Sequence, residues 1–403
     1  MSWDALFARR LLGVRLGLAI VDGVHAAMGR PTAGTPAVHV VGTNGKGSTA
    51  AMIEHALRGQ GMRTGLYTSP HLRRVGERVR IDGEAVPDAH LRASVDTVLA
   101  HEGSLSLPRP LSFFELITLA ALDVVERANV DVLVAEAGLG GRLDATRMVE
   151  PAVVAITSIA LDHQEFLGDT LDAIAGEKAA VMRPGVPVFS APQRPAAERV
   201  LRNQAQSTGC PLRFCDPLPR APEGLPGQHQ RGNGAVALAA ARVLVPSLGA
   251  DALDGVQWPG RLQTLEHGGG RLVLDAAHNV AAVEAVGQAI ETGDVPTPDV
   301  VVFGSQAHKD TAAMLDALEG WPGQHWWVSP SAEVEVPGRV GHWARVAASP
   351  NDPGFWAALE EVLARGGTAL VCGSHLLVGA VLGWMAAESR AADPQDPTIG
   401  PSD

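Results

Sequence analysis

Val38-His39-Val40-Val41-Gly42-Thr43-Asn44-Gly45-Lys46-Gly47-Ser48-Thr49 reads as a strand, a tight loop and the start of a helix. Val38 to Val41 is a short apolar run suited to a buried strand. Gly42 to Gly47 supplies three glycines and one lysine. Ser48 then opens a helix through Ala50, Met52, Ile53, Ala56 and Leu57. Such a unit is an anion site. Glycines let backbone N–H groups turn inward, the helix dipole adds positive potential, and Lys46 adds a full charge. Ser48 stands where a hydroxyl can hold Mg²⁺. The spacing is narrower than the general phosphate-loop pattern, which would need a glycine where Val40 stands.

Further strands are expected to end on the same sheet edge, where α/β proteins place ligands. Thr64 to His71 reads as a strand that ends at Pro70, which makes Ser69 a candidate metal ligand. Val130 to Glu136 is a continuous apolar run, as in a buried parallel strand, and closes on a carboxylate. Ala152 to Ile156 leads to Asp162 and His163. A lone histidine is usually structural, but His163 follows the third such strand end and is a candidate ligand.

Between these runs, Val79–Ile81, Asp82-Gly83 and Ala85-Val86 suggest a hairpin. Arg73, Arg74, Arg78 and Arg80, with Glu77 among them, suit an anionic substrate and equally a solvated charged loop. Ser112 and Glu115 have capping-box spacing at the head of a helix through Leu122. Phe113 and Phe114 could stack a flat heterocycle, although the residues alone favour core packing. Residues 2–29 look helical, and residues 193–225 look less regular.

Lysine is rare here. Of 32 basic residues only Lys46, Lys178 and Lys309 are lysine. A composition that replaces lysine wherever arginine serves leaves lysine where a compact amine is needed. Lys178 lies in a helix expected over 170–182, among Ala175, Gly176, Ala179 and Ala180.

Trp258-Pro259-Gly260-Arg261 looks like a boundary. Beyond it, strands at Leu272–Leu274, Val300–Phe303 and Thr368–Cys372 alternate with helices after Asn279 and Lys309, which implies a parallel sheet covered by helices. Their ends carry Asp275, His278 and Asn279, then His308 to Asp310, then Ser374 and His375. At 403 residues and 46% hydrophobic the chain can build two or three full cores. A net charge of −12 argues against nucleic-acid and anionic-membrane partners. No apolar run is long enough to span a bilayer, no signal-peptide pattern is evident, and three cysteines fit a reducing compartment, so a cytoplasmic location is expected.

Gly42 to Thr49 resembles the phosphate loop of the Mur ligase superfamily, and within it of folylpolyglutamate synthase and dihydrofolate synthase. Thr68-Ser-Pro-His-Leu72, Ser112-Phe-Phe-Glu115, Glu136 to Thr146, Thr157 to His163, Glu177-Lys-Ala179, His229-Gln230 with Asn233, Pro259-Gly-Arg261 and Leu274 to Asn279 follow in that family's order. The resemblance implies an α/β protein of two domains. Residues 1–257 would form an ATP-binding domain of the phosphate-loop type with a mostly parallel sheet. Residues 258–390 would form a smaller Rossmann-like domain, and 391–403 a disordered tail.

It also implies roles. Asn44, Gly45, Lys46, Gly47 and Ser48 would bind the triphosphate. Ser48, Ser69, Glu136 and His163 would hold Mg²⁺. Asn233, Arg261 and Asp275 would contact ATP. Ser112 to Glu115 and Leu143, Asp144 and Ala145 would face a pterin. Lys178 matches the lysine that the family carbamylates, and His278 and Ser374 would lie near L-glutamate. The implied enzyme is a monomeric ATP-dependent amide ligase that adds L-glutamate to dihydropteroate or a folate. Arg147, His308 and Gly234 stand where the family carries asparagine, aspartate and alanine. Arg147 and His308 leave room for a ligase of the same mechanism with a different carboxylate and amino acid. A nucleotide-hydrolysing switch is the alternative from another class.

Overall fold

A computed structural model describes residues 2–306, 309–330, 344–347 and 349–392. The chain divides into two compact units, Met1–Gly224 with His229–Gln257, and Leu225–Gln228 with Trp258–Asp403. His308, and residues 393–403 of the expected tail, lie outside the described residues, whereas 391 and 392 end a helix.

The first unit opens with α1 (Ser2–Ala8), a 3-10 turn (Arg9–Leu12) and α2 (Ala19–Ala27). The single helix expected over 2–29 is therefore broken. Gly13 and Gly17 take φ of 62° and 148° between its two parts, which a helix cannot accommodate. There follow β1 (Ala37–Val41), α3 (Lys46–Arg58), β2 (Thr64–Tyr67), β3 (Val79–Ile81), β4 (Glu84–Ala85), α4 (Asp88–Gly103), α5 (Phe113–Ala128) and β5 (Val132–Glu136). The unit closes with β6 (Pro151–Ile156), α6 (Gln164–Leu167), α7 (Leu171–Ala179), β7 (Val188–Ser190), α8 (Pro195–Thr208), β8 (Leu212–Phe214) and α9 (His229–Leu244).

The sheet runs β4-β3-β2-β5-β1-β6-β7-β8. Every neighbouring pair from β2 to β8 is parallel, and the β3–β4 hairpin pairs antiparallel at one edge. Asp82 and Gly83 both have positive φ, the geometry a tight two-residue hairpin requires. β1 and β5 are buried along their whole length, as strands covered on both faces are. Burying a valine of this kind stabilises the fold by about 1.5–3 kcal/mol. Residues 193–225 are more regular than expected. Pro195 sits in the first turn of α8, where its missing N–H has no partner to lose.

The second unit contains β9 (Gln263–His267), β10 (Gly270–Leu274), α10 (Val280–Glu291), β11 (Val300–Phe303), α11 (Thr311–Leu318), β12 (Gln324–Val328), β13 (Ala344–Ala347), α12 (Pro353–Ala364), β14 (Thr368–Cys372) and α13 (His375–Ala392). Its sheet runs β13-β12-β11-β14-β10-β9, parallel except for the β9–β10 edge pair. Phe303, Trp327, Leu370 and Cys372 fill its core with Val283, Val286 and Met314 from α10 and α11. Among the described residues, no helix is long and apolar enough to cross a membrane.

Candidate active site

The parallel register places three strand ends side by side. Val40 lies opposite Glu136 of β5 and opposite Ala155 of β6. The loop after β1 is held from β6, because Thr43 N–H donates to the Ser158 carbonyl at 2.8 Å. Thr43 Oγ1 also bonds the Ala160 carbonyl and the Ala160 N–H, each at 3.1 Å. α3 begins at Lys46, two residues earlier than expected, with Gly45 as its left-handed N-cap at φ 86°. A Cβ there would lie 2.3 Å from Oδ1 of Asn233, so α9 seats Asn233 directly on the loop. Asn233 Nδ2 donates to Gln230 Oε1 at 2.9 Å, and Gln230 Nε2 to the buried Ser48 Oγ at 3.4 Å. Gln230 is a residue to which sequence reasoning gave no role. Its signal was the three-residue spacing from Asn233, which puts both on one helix face.

Two lysines meet this loop. Lys46 Nζ donates to the Thr43 carbonyl at 3.1 Å. Lys178 is buried on α7, and its Nζ donates to the Gly42 carbonyl at 2.6 Å. Burial, and then the charge of Lys46, pushes the Lys178 amine down to about 7, against the opposing pull of Asp162, Asp144 and Glu177. Glu177 itself forms an ion pair with Arg142 at 2.7 Å.

Of the candidate metal ligands, Glu136 is buried and its Oε2 accepts the Ser69 N–H at 3.0 Å, which joins the ends of β5 and β2. His163 is the N-cap of α6 at φ 50°, and its N–H donates to Asp162 Oδ1 at 2.9 Å. Among the described residues, no three His, Cys, Asp or Glu side chains form a group that could hold a metal. One carboxylate and two hydroxyls are hard oxygen donors that suit Mg²⁺, which keeps several waters and substrate phosphates in its shell, whereas the His163 imidazole is the softer member of the set.

In the proposed acceptor segment, Ser112 and Glu115 form the capping box of α5, and Glu115 also takes both Nη groups of Arg109 at 2.7 and 2.9 Å. Phe114 lies beneath Gly138, where a Cβ would approach its ring to 2.3 Å. Phe113 is half-buried, with the Arg10 and Arg78 guanidinium carbons 5.2 and 5.4 Å from its ring centre. Asp144 differs from a ligand-facing group. It is buried, and its carboxylate accepts the N–H groups of Leu139 and Thr146 at 2.8 and 2.9 Å, so it shapes its own loop. Ala145 is buried and Leu143 half-buried. Arg147 donates to the Ala180 carbonyl at the end of α7.

In the second unit, Asp275 directly follows β10, and its two oxygens accept the N–H groups of Leu262 and Ala277, each at 2.8 Å. Ala276 N–H donates to the Gly260 carbonyl, so the loop that carries Arg261 is tied to the same strand end. Ser374 is buried beyond β14, the neighbour of β10, and its Oγ accepts the Leu376 N–H at 3.1 Å. His278 Nδ1 bonds the Ala276 carbonyl at 2.8 Å, so Nδ1 carries a proton, and the ring lies 5.0 Å from that of His375. Asp275, His278 and Ser374 thus share one sheet edge. The third lysine, Lys309, precedes α11, and its N–H bonds the Gln306 carbonyl at 3.0 Å.

The Mur ligase middle domain model matches residues 40–187. The mitochondrial folylpolyglutamate synthase of Cricetulus griseus is 34% identical over 332 residues, 70% of this chain and 56% of that protein. The chain therefore spans little more than half the length of that relative. The dihydrofolate synthase/folylpolyglutamate synthase of Bacillus subtilis (strain 168) is 32% identical over 354 residues, 79% of this chain and 81% of that protein. Among solved structures, E. coli FolC in complex with DHPP and ADP superposes with a TM-score of 0.82 at 29% identity, over 96% of this chain and 98% of that one. The chain belongs to the folylpolyglutamate synthase/dihydrofolate synthase family of the Mur ligase superfamily.

Proposed function

We propose that this protein is an ATP-dependent ligase that joins L-glutamate to the carboxylate of dihydropteroate or a folate. The observation that carries the reading is the convergence of Lys46, Lys178 and Asn233 on one glycine loop. The names of the relatives, and the ADP and DHPP bound by the E. coli protein, support the nucleotide and the acceptor class. A carboxylate oxygen of the acceptor attacks the γ-phosphorus, and ADP leaves with the bond's electron pair. The glutamate amine then attacks the acyl carbon, phosphate departs, and the nitrogen loses a proton. Lys46 stabilises charge on the transferred phosphoryl group. Ser48, Ser69, Glu136 and His163 would hold Mg²⁺, which neutralises phosphate charge when bound. Asp275 and Arg261 are assigned to ATP, and His278 and Ser374 to glutamate.

Lys178 is assigned as a carbamate. Its lowered pKa makes neutral amine available near pH 7. That amine attacks CO₂, forms an N–C bond and releases a proton. The product keeps one N–H, enough to serve the Gly42 carbonyl, and offers hard oxygens suited to Mg²⁺. A carbamate signal in ¹³C NMR after equilibration with labelled bicarbonate, absent in Lys178→Ala, supports this; its absence from the active wild type rejects it.

The Arg147 guanidinium donates to the Ala180 carbonyl, a tie to the end of α7 that speaks against a role in choosing a different acceptor. The enzyme assay is direct. Dihydropteroate or a folate, incubated with L-glutamate and ATP, should gain one glutamyl residue by mass spectrometry. A different carboxylate consumed in their place overturns the assignment.

A further inference from the structure

Arg78 is the one arginine that is buried among the described residues, at 7% exposed. It closes the 3-10 turn Val75–Arg78, and its carbonyl accepts the Thr68 N–H at 2.9 Å, which pins it beside the end of β2. Its Nε donates to His71 Nδ1 at 2.8 Å. The Tyr67 hydroxyl and the face of Phe113 lie against it, and the charges of Arg10 and Glu136 act on it from farther off. All three partners are neutral. The Arg78 Nε–H can only donate, so His71 Nδ1 accepts and carries no proton.

Arginines nearby are matched differently. Arg9 pairs with Glu102, Arg58 with Glu54 and Arg109 with Glu115, while Arg73 and Arg74 are exposed. Arg78 forms no ion pair among the described residues. Glu136 acts on it only as a more distant charge, with one oxygen on the Ser69 N–H. A buried cation whose contacts are all neutral is poorly compensated, and a bound anion would supply what is missing. His71 adds to this. A neutral imidazole that accepts at Nδ1 carries its proton on Nε2, so it presents a second donor.

The site therefore has a cation, a donor and an aromatic face, set between the acceptor segment at Phe113 and the strand end that carries Ser69. We infer that Arg78, with His71 beside it, anchors the carboxylate of the acceptor. This rests on the ligase reading given above. The planar guanidinium fork matches a carboxylate better than an ammonium would, which gives the arginine a reason beyond charge.

The test compares binding of dihydropteroate with that of its carboxamide analogue, by calorimetry in the presence of a non-hydrolysable ATP analogue. Wild type should bind the acid at least about tenfold more tightly than the amide, the range of a charge-assisted hydrogen bond. Arg78→Gln should bring that ratio near one, with amide and nucleotide affinities unchanged. Arg78→Lys should recover only part of it. If Arg78→Gln fails to fold, Arg78→Lys carries the test, and full discrimination by it overturns the anchor. Full discrimination by a folded Arg78→Gln overturns it too, as does weakened nucleotide binding with the ratio intact, which would assign the cation to phosphate. Wild type that binds the nucleotide analogue but neither pterin compound defeats the acceptor reading itself, and the anchor with it.

Discussion

Lys178 Nζ lies 2.6 Å from the carbonyl oxygen of Gly42, the residue that turns β1 into the phosphate loop. The contact joins the helix that carries the buried amine to the loop that carries Lys46. Burial, and then the charge of Lys46 on the same loop, pushes the Lys178 amine towards its neutral form.

That lowered value has a consequence for stability. Below pH about 7 both folded and unfolded chains hold the Lys178 proton. Between about 7 and 10.5 only the unfolded chain binds it, so stability from this group rises with pH across that window. In CO₂-free buffer, wild type should gain stability relative to Lys178→Met as pH rises from 7 towards 10. Parallel profiles of denaturation midpoint against pH would show that the amine is not perturbed.

Lys46 serves charge rather than packing. It is half-buried, and its side-chain hydrogen bond goes to its own loop. Lys46→Ala should fold normally and lose at least about a hundredfold in turnover, the scale of removing a positioned charge from phosphoryl transfer. Near-normal turnover by a folded variant would remove Lys46 from the mechanism.

Gly45 has no room for a side chain. Its φ of 86° disfavours any other residue, and a Cβ would meet Asn233 at 2.3 Å. Gly45→Ala should shift the loop against α9 and weaken ADP binding measured by titration. Unchanged affinity would mean that the loop does not grip the nucleotide.

The loop, its strand and the neighbouring parallel strands were legible because apolar runs and glycines state their conformation locally. β9 was not, because its residues alternate half-buried and exposed along a short polar edge. α8 lies in the stretch that looked less regular, and its Pro195 acts as a first-turn residue. The arginine loop could not be resolved from sequence between a substrate site and a solvated surface. The folded chain divides it, with Arg73 and Arg74 exposed and Arg78 buried. Contacts between distant segments, such as Asn233 on Gly45 and Asp144 turned into its own loop, depend on the folded arrangement and leave little mark in spacing.

Arg147 shows the same limit. It stands beside the acceptor segment in sequence but bonds the Ala180 carbonyl, where it acts as a C-terminal cap on α7. Arg147→Asn should lower stability by about 1.5–3 kcal/mol, the range for a charge-assisted hydrogen bond, and leave the acceptor KM unchanged. A large rise in that KM with stability intact would return Arg147 to the acceptor site.

The most direct test of the ligase reading is release of phosphate from ATP as each substrate is withheld in turn. The account predicts phosphate in step with glutamylated product when dihydropteroate or a folate, L-glutamate and ATP are all present. It predicts little sustained release when either co-substrate is missing. Steady release from ATP alone, indifferent to both, would contradict the account and identify a nucleotide-hydrolysing switch.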